Sequence, residues 1–184
     1  TAVTYAYWRS LVEPRWAPPS PSRFANETRT VIAYQNNANA NVESVEQRSG
    51  NSSGTGALSA TTQVTYDALG NLLTVNGPLS GDADVVRYRY NAARDVIGEV
   101  SPDPDGTGSL KHRAIRRTYA NGLLTKVERG TDNSQSDSDW SAFSPAEAVD
   151  LTYDANARVT TQKLAAGGTI HALTQFKYDA LGRP

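Results

Sequence analysis

Residues 64–75 read VTYDALGNLLTV, and residues 176–184 read FKYDALGRP. Both contain Tyr-Asp-Ala-Leu-Gly, and the surroundings of that pentapeptide decide the fold. Val64 and Tyr66 flank Thr65, the apolar–polar–apolar alternation of a half-buried strand. Asp67 follows, and a short carboxylate there accepts backbone N–H bonds and closes a tight turn. Gly70 tolerates positive φ, and Leu72-Leu73-Thr74-Val75 then turns apolar again. The stretch predicts a β-hairpin.

Moving outward, the same pattern recurs around Tyr34 (VIAYQNNANANV), Tyr90 (YRYNAARDVIGEV), Tyr119 (RTYANGLLTKV) and Tyr153 (LTYDANARVTTQKL). Successive tyrosines lie 24 to 34 residues apart. Two positions before each tyrosine stand Ile32, Val64, Tyr88, Arg117, Leu151 and Phe176, apolar except for Arg117. One position before it stand Ala33, Thr65, Arg89, Thr118, Thr152 and Lys177, all small or polar. Each copy therefore predicts a strand with a buried face that includes the tyrosine and a wetter opposite face. Asp67, Asn91, Asp154 and Asp179 open the turns, while the Tyr119 copy uses Asn121-Gly122, a strong two-residue hairpin signal. A single Tyr-Asp before a glycine occurs by chance in many sheets. Six copies agreeing column by column do not arise that way, and they mark an internal repeat. The predicted class is all-β, consecutive antiparallel β-hairpins.

The composition agrees. Tyr, Thr and Val are frequent, and Gly, Pro, Asn, Asp and Ser punctuate them. A net charge of −1 gives no electrostatic drive toward nucleic acid or anionic lipid. Without cysteine there is no disulfide framework, thiolate metal site or cysteine nucleophile. No apolar run approaches the ~18 residues of a membrane span, and no secretory signal is legible. Position 1 is threonine and methionine is absent, so the chain reads as an internal piece, truncated at both ends.

Residues 1–27 read as an irregular, proline-rich lead-in: Ala2-Val3-Thr4-Tyr5-Ala6-Tyr7-Trp8 is a candidate strand, and 13–21 is extended polyproline. Residues 28–184 read as the hairpin repeats. SGNSSGTGALSATT (49–62) reads as a flexible loop, and NGPLSGDAD (76–84) and SPDPDGTGSL (101–110) as turn clusters. GTDNSQSDSDW (130–140) is polar and acidic and reads as mobile. Ser144-Pro145-Ala146-Glu147 has the form of a capping box and predicts a short helical turn.

These units resemble the tyrosine–aspartate repeat, also called the Rhs repeat. The resemblance rests on Tyr66-Asp67-Ala68-Leu69-Gly70-Asn71-Leu72 and Tyr178-Asp179-Ala180-Leu181-Gly182-Arg183. Tyr153-Asp154-Ala155 and Tyr90-Asn91-Ala92 match more loosely, and the Tyr34 copy is degenerate. It implies a curved, spiralling sheet that closes, with the rest of the parent chain or adjacent repeats, into a hollow shell. Bacterial members of this kind look like cocoons for toxic C-terminal domains, as in toxin-complex subunits and polymorphic toxins; the related teneurins are cell-surface adhesion proteins. The implied function is a structural one, sequestering a toxin or other polypeptide cargo. The implied location is secreted or at the cell surface, most readily bacterial. The alternative is a glycan- or receptor-binding module of a surface adhesion protein.

No residue set specifies a catalytic, cofactor or metal site, and no enzyme is expected. Asp103-Pro104-Asp105-Gly106 superficially resembles the Asp-Pro segment at which some Rhs shells cleave themselves, but it lies mid-chain and reads as a surface turn. As a calcium loop, Asp103 and Asp105 lack the third acidic or amide ligand before the glycine. Lys111-His112-Arg113-Ala114-Ile115-Arg116-Arg117 could hold phosphate or an acidic glycan; its plainer reading is a strand whose charges face water or the acidic loop at 130–140, with Arg117 either paired to a neighbouring carboxylate or placed near a sheet rim. His112 and His171 form no metal-spaced pair. Trp8, Trp16 and Trp140 could stack on a sugar ring, or each could plug a gap beneath a loop.

Overall fold

The computed structural model describes residues 28–35, 40–49 and 58–183. The proline-rich lead-in with its candidate strand, Trp8 and Trp16, and residues 50–57 of the glycine–serine loop lie outside them. The described residues form strands β1 (Thr28–Tyr34), β2 (Val42–Ser49), β3 (Leu58–Tyr66), β4 (Leu72–Asn76), β5 (Val86–Tyr90), β6 (Val96–Val100), β7 (His112–Ala120), β8 (Leu123–Asp132), β9 (Ser144–Tyr153), β10 (Val159–Ala166) and β11 (Thr169–Gln175). One short helix, α1 (Asp137–Ser141), joins β8 to β9. The fold is all-β, built of antiparallel hairpins. The loop expected over 49–62 is shorter than that, because Leu58–Thr62 already belong to β3.

The chain divides into two compact units at Asp82/Ala83, within the turn cluster 76–84. In the first, β1 pairs β2, β2 pairs β3 and β3 pairs β4. In the second, each strand from β5 to β11 pairs antiparallel with its neighbour in sequence. This is a meander, which needs no long crossover and suits the short turn-rich connectors.

The repeat has a register signature. In five hairpins the tyrosine faces the apolar residue near the start of the return strand: Tyr34↔Val42, Tyr66↔Leu72, Tyr90↔Val96, Tyr119↔Leu124 and Tyr153↔Val159. Each time the register slips beside that pair, skipping one return-strand residue: Glu43, Leu73, Ile97, Thr125 or Thr160. An extra residue opposite one partner bends a strand and raises its twist. The tyrosine therefore marks a bulge as well as a face.

Register also sorts the faces of the second unit. Arg87 and Arg89 of β5, Gly98 and Val100 of β6, Ala114 and Arg116 of β7 and Gly130 of β8 share one face. Tyr88, Tyr90, Ile115, Arg117, Tyr119, Val149, Leu151 and Tyr153 lie on the other. The sequence pattern assigned burial to the tyrosine face, but that face is only half-buried. Among the described residues the buried apolar side chains are Val100, Ala114 and Phe143, with Trp140 packed against them, and Val100 and Ala114 stand on the arginine face. The segment between β8 and β9 causes this difference by folding back over that face.

That segment corrects two further expectations. Residues 130–140 are held against the sheet, and the helix comes earlier than the capping-box motif placed it. Ser136 caps α1, accepting from the Asp139 N–H at 3.1 Å, and Asp137 and Asp139 occupy the first turn. Ser144-Pro145-Ala146-Glu147 instead begins β9. Pro145, which has no N–H to give, faces Gly130 where the β8–β9 register slips. A Cβ on Gly130 would collide with the Ser144 carbonyl, so only glycine permits that approach. Glu147 pairs across the strands with Arg129 at 2.9 Å.

Candidate functional site

Two constructions stand out: the joint repeated between hairpins, and a cluster under the β8–β9 segment. The joint starts in the turns. Asp154 Oδ1 accepts the N–H groups of Asn156 (2.9 Å) and Arg158 (3.0 Å), and its Oδ2 accepts Arg158 Nε at 2.7 Å. Asp179 repeats this with Leu181 and Arg183 N–H, both at 2.9 Å, and Arg183 Nε at 2.7 Å. Asp67 holds Leu69 and Asn71 N–H and the Asn71 amide; Asn91 holds the Asp95 N–H and gives its own amide to Asp95 Oδ2. The fourth turn residue has positive φ each time: Gly70 at 81°, Arg94 at 70°, Ala157 at 60° and Gly182 at 79°. The fifth returns a side chain to the first.

These bonds favour the ionised carboxylate. The Arg158 side-chain bond, then its backbone N–H, lowers the Asp154 pKa from its ordinary 3.8; the Arg183 backbone N–H, then its side chain, lowers that of Asp179. A carboxylate with a lowered folded pKa contributes stability above pH 3.8 that is lost as pH falls through the folded value. Acid titration followed by far-ultraviolet circular dichroism is therefore expected to show steepening destabilisation below pH 3.8. Asp154→Asn keeps an acceptor oxygen, as Asn91 does in its own turn, and is expected to flatten that limb. An unaltered limb in the variant would show that the turn carboxylate does not control it.

With the turns set, the tyrosines reach backward. Tyr119 Oη donates to the Val96 carbonyl at 3.4 Å, Tyr153 Oη to Leu124 at 2.7 Å, and Tyr178 Oη to Val159 at 2.7 Å. Each acceptor lies at or next to the start of the return strand of the preceding hairpin, and in all three cases it is the residue that hairpin's own tyrosine faces. Arg158 also lies over the Tyr178 ring, 4.5 Å from its centroid. Each hydroxyl thus fastens one hairpin to the one before. Removing one such bond costs about 1 kcal/mol. Tyr153→Phe and Tyr178→Phe are expected to lose about that much in urea unfolding, and Tyr119→Phe, with its longer bond, less. The reverse ranking would contradict the assignment.

The second construction joins residues far apart in sequence. Arg89 Nη2 donates to the carbonyls of Gln135 and Ser136, both at 2.8 Å, and contacts Asp137 Oδ1 at 3.2 Å. Gln135 Nε2 donates to the carbonyls of Val85, Val100 (3.2 Å) and Ser101 (3.1 Å). Trp140 lies between guanidinium groups, Arg89 4.9 Å and Arg116 4.7 Å from its ring centroid, and Arg116 also lies 4.5 Å from the Phe143 ring. Arg116 closes the set by donating to the Trp140 carbonyl. Burial lowers the Arg89 pKa, with the Arg87 charge second, and the Asp137 and Asp132 carboxylates oppose the shift. Asp132, 2% exposed, accepts the Asn133 N–H through Oδ1.

No protein-family model and no curated protein matches the chain. The functional reading therefore rests on the residues themselves.

The sequence candidates are placed as follows. Asp103 Oδ1 accepts the Asp105 and Gly106 N–H groups, and Asp105 Oδ2 accepts that of Leu110, so these oxygens organise a turn. Backbone bonding, first from Asp105, lowers the Asp103 pKa. Among the described residues no group of three His, Cys, Asp or Glu side chains could hold a metal ion, and no helix is long and apolar enough to cross a membrane. The basic stretch is divided among partners: His112 Nδ1 meets the Ser101 carbonyl at 2.8 Å, Arg116 joins the tryptophan cluster, and Arg117 pairs with Glu99 at 3.5 Å. Tyr88 sits beside that last pair; burial first and Glu99 second raise its phenol pKa, against Arg117. His171 is exposed on β11, away from His112 in the strand order. Trp140 plugs the space beneath its own loop. The sequence reading missed Arg89, Gln135, Arg116 and Phe143 as its partners. The spacing Ser136-x-x-Asp139 ahead of Trp140 and Phe143 was the available signal for an ordered cap.

Proposed function

We propose that this chain is an arc of an Rhs-type shell wall, a secreted or surface structure of bacterial type that sequesters a toxin or other polypeptide. The observation that carries the reading is the repeated fastening of Tyr119, Tyr153 and Tyr178 to the hairpin before each. Such a joint can repeat, since in each of these three the acceptor is the carbonyl of the residue that the preceding hairpin's own tyrosine faces. A single hairpin is marginal in water, whereas a row of them shares edges and buries faces at each junction. The polar atoms of the turns and of the tryptophan cluster are largely occupied in holding backbone, which suits a wall better than a site of turnover. The glycan-binding alternative gains nothing from Trp140, whose ring is packed against Gly98 and two arginines.

The test is limited proteolysis of a longer protein that carries these repeats followed by a cargo polypeptide. The cargo is expected to resist protease until the repeats are unfolded. Cargo digested as fast in the native protein as in the unfolded one would overturn enclosure.

A further inference from the structure

We propose that Arg87 and Arg89 form an anion-binding site that the chain fills with its own Asp137 carboxylate, and that an external phosphate or carboxylate group can take its place. Both guanidinium groups approach the same oxygen: Arg87 Nη2 lies 3.4 Å and Arg89 Nη2 3.2 Å from Asp137 Oδ1. The two arginines share one face of β5, so the strand itself holds them in parallel. Asp137 is held loosely, with its side chain 80% exposed, while the side chain of Arg89 is only 10% exposed.

The chemistry is unequal on the two sides of this contact. Arg89 carries a buried charge whose Nε and Nη1 have no hydrogen-bond partner. An anion at the Asp137 position meets Nη2 rather than those two atoms, and by bringing more charge beside the desolvated guanidinium it offsets more of the burial cost. Asp137 supplies one oxygen to two guanidinium groups, whereas a tetrahedral phosphate could offer a separate oxygen to each. Arg87, 37% exposed, keeps the position open to solvent. The site does not depend on the shell reading, since it needs only the second unit.

The probe is inorganic phosphate, titrated against the full chain at constant ionic strength with chloride as the balancing ion. Asp137→Asn removes the competing charge and keeps a side chain of the same shape. It is expected to bind phosphate at least tenfold more tightly than the unaltered chain, read as a phosphate-dependent rise in Tm and as broadening of the phosphorus resonance. Adding Arg87→Gln, which keeps a long polar side chain on β5, is expected to abolish the gain. Equal phosphate affinity with and without Asp137, or a gain that survives Arg87→Gln, would overturn the proposal.

Discussion

Replacing Trp140 with alanine is expected to lower the stability of the second unit by about 2–3 kcal/mol, less than a fully buried tryptophan because the ring is only partly covered. The effect is large because so little else there is fully buried. Among the described residues the buried apolar side chains are Val100, Ala114 and Phe143, and Trp140 packs on all of them as a group. Its loss also strips Arg89 and Arg116 of the ring they lie against and frees the Ser136–Ala142 turn from the sheet. Urea unfolding should report the lost stability. Hydrogen exchange should report faster exchange at the Trp140 and Ala142 amides, which bond to Ser136 and Asp139 carbonyls. Unchanged exchange there would mean that the tryptophan is not what seats the segment.

The second large effect comes from the opposite side of the same contact. Gly98 lies directly beneath the indole, and a Cβ built there falls 2.7 Å from Trp140 Cζ2 and 2.9 Å from Cη2. The ring cannot slide aside freely, because Arg89 and Arg116 flank it and a Gly98 Cβ would also lie 3.1 Å from Arg89 Cβ. Gly98→Ala is expected to cost about 1–3 kcal/mol through overpacking. The two substitutions should not add. Once Trp140 is alanine the added methyl has room, so Gly98→Ala in that background is expected to be close to neutral. Full additivity of the two losses would show that residue 98 and the indole do not touch.

What the sequence made legible was what is local. The turn from Asp154 to Arg158 spans five residues, and its carboxylate, backbone donors and returning arginine all lie within that span, so a column of Asp or Asn after each tyrosine foretold it. The same holds for Asn121-Gly122, whose φ angles of 53° and 76° belong to a two-residue hairpin turn. Arg94 and Ala157 show the limit of the motif, since both take the left-handed conformation that glycine takes at Gly70 and Gly182. The tyrosine bulge was not legible, because a skipped residue leaves the alternation of the outgoing strand untouched. Ser144-Pro145-Ala146-Glu147 misled for a related reason. A capping box is a local preference, and here the ladder to β8, with Arg129 waiting for Glu147, outweighs it. The tryptophan cluster lay furthest from view. Arg89 reaches the Ser136 carbonyl across 47 positions, and Gln135 reaches Val85 across 50. No window of sequence contains both ends of such a contact, and the acidic, serine-rich composition of the segment pointed toward solvent.

The proposed wall rests on the hydroxyl joints that fasten successive hairpins. The most direct measurement of that claim is electron microscopy of the parent protein containing these residues. A closed particle with an empty or cargo-filled interior, its wall one sheet thick and residues 83–183 within that wall, is the result the account predicts. A solid particle, with the tyrosine face of these strands packed into an ordinary two-layer core, would contradict it.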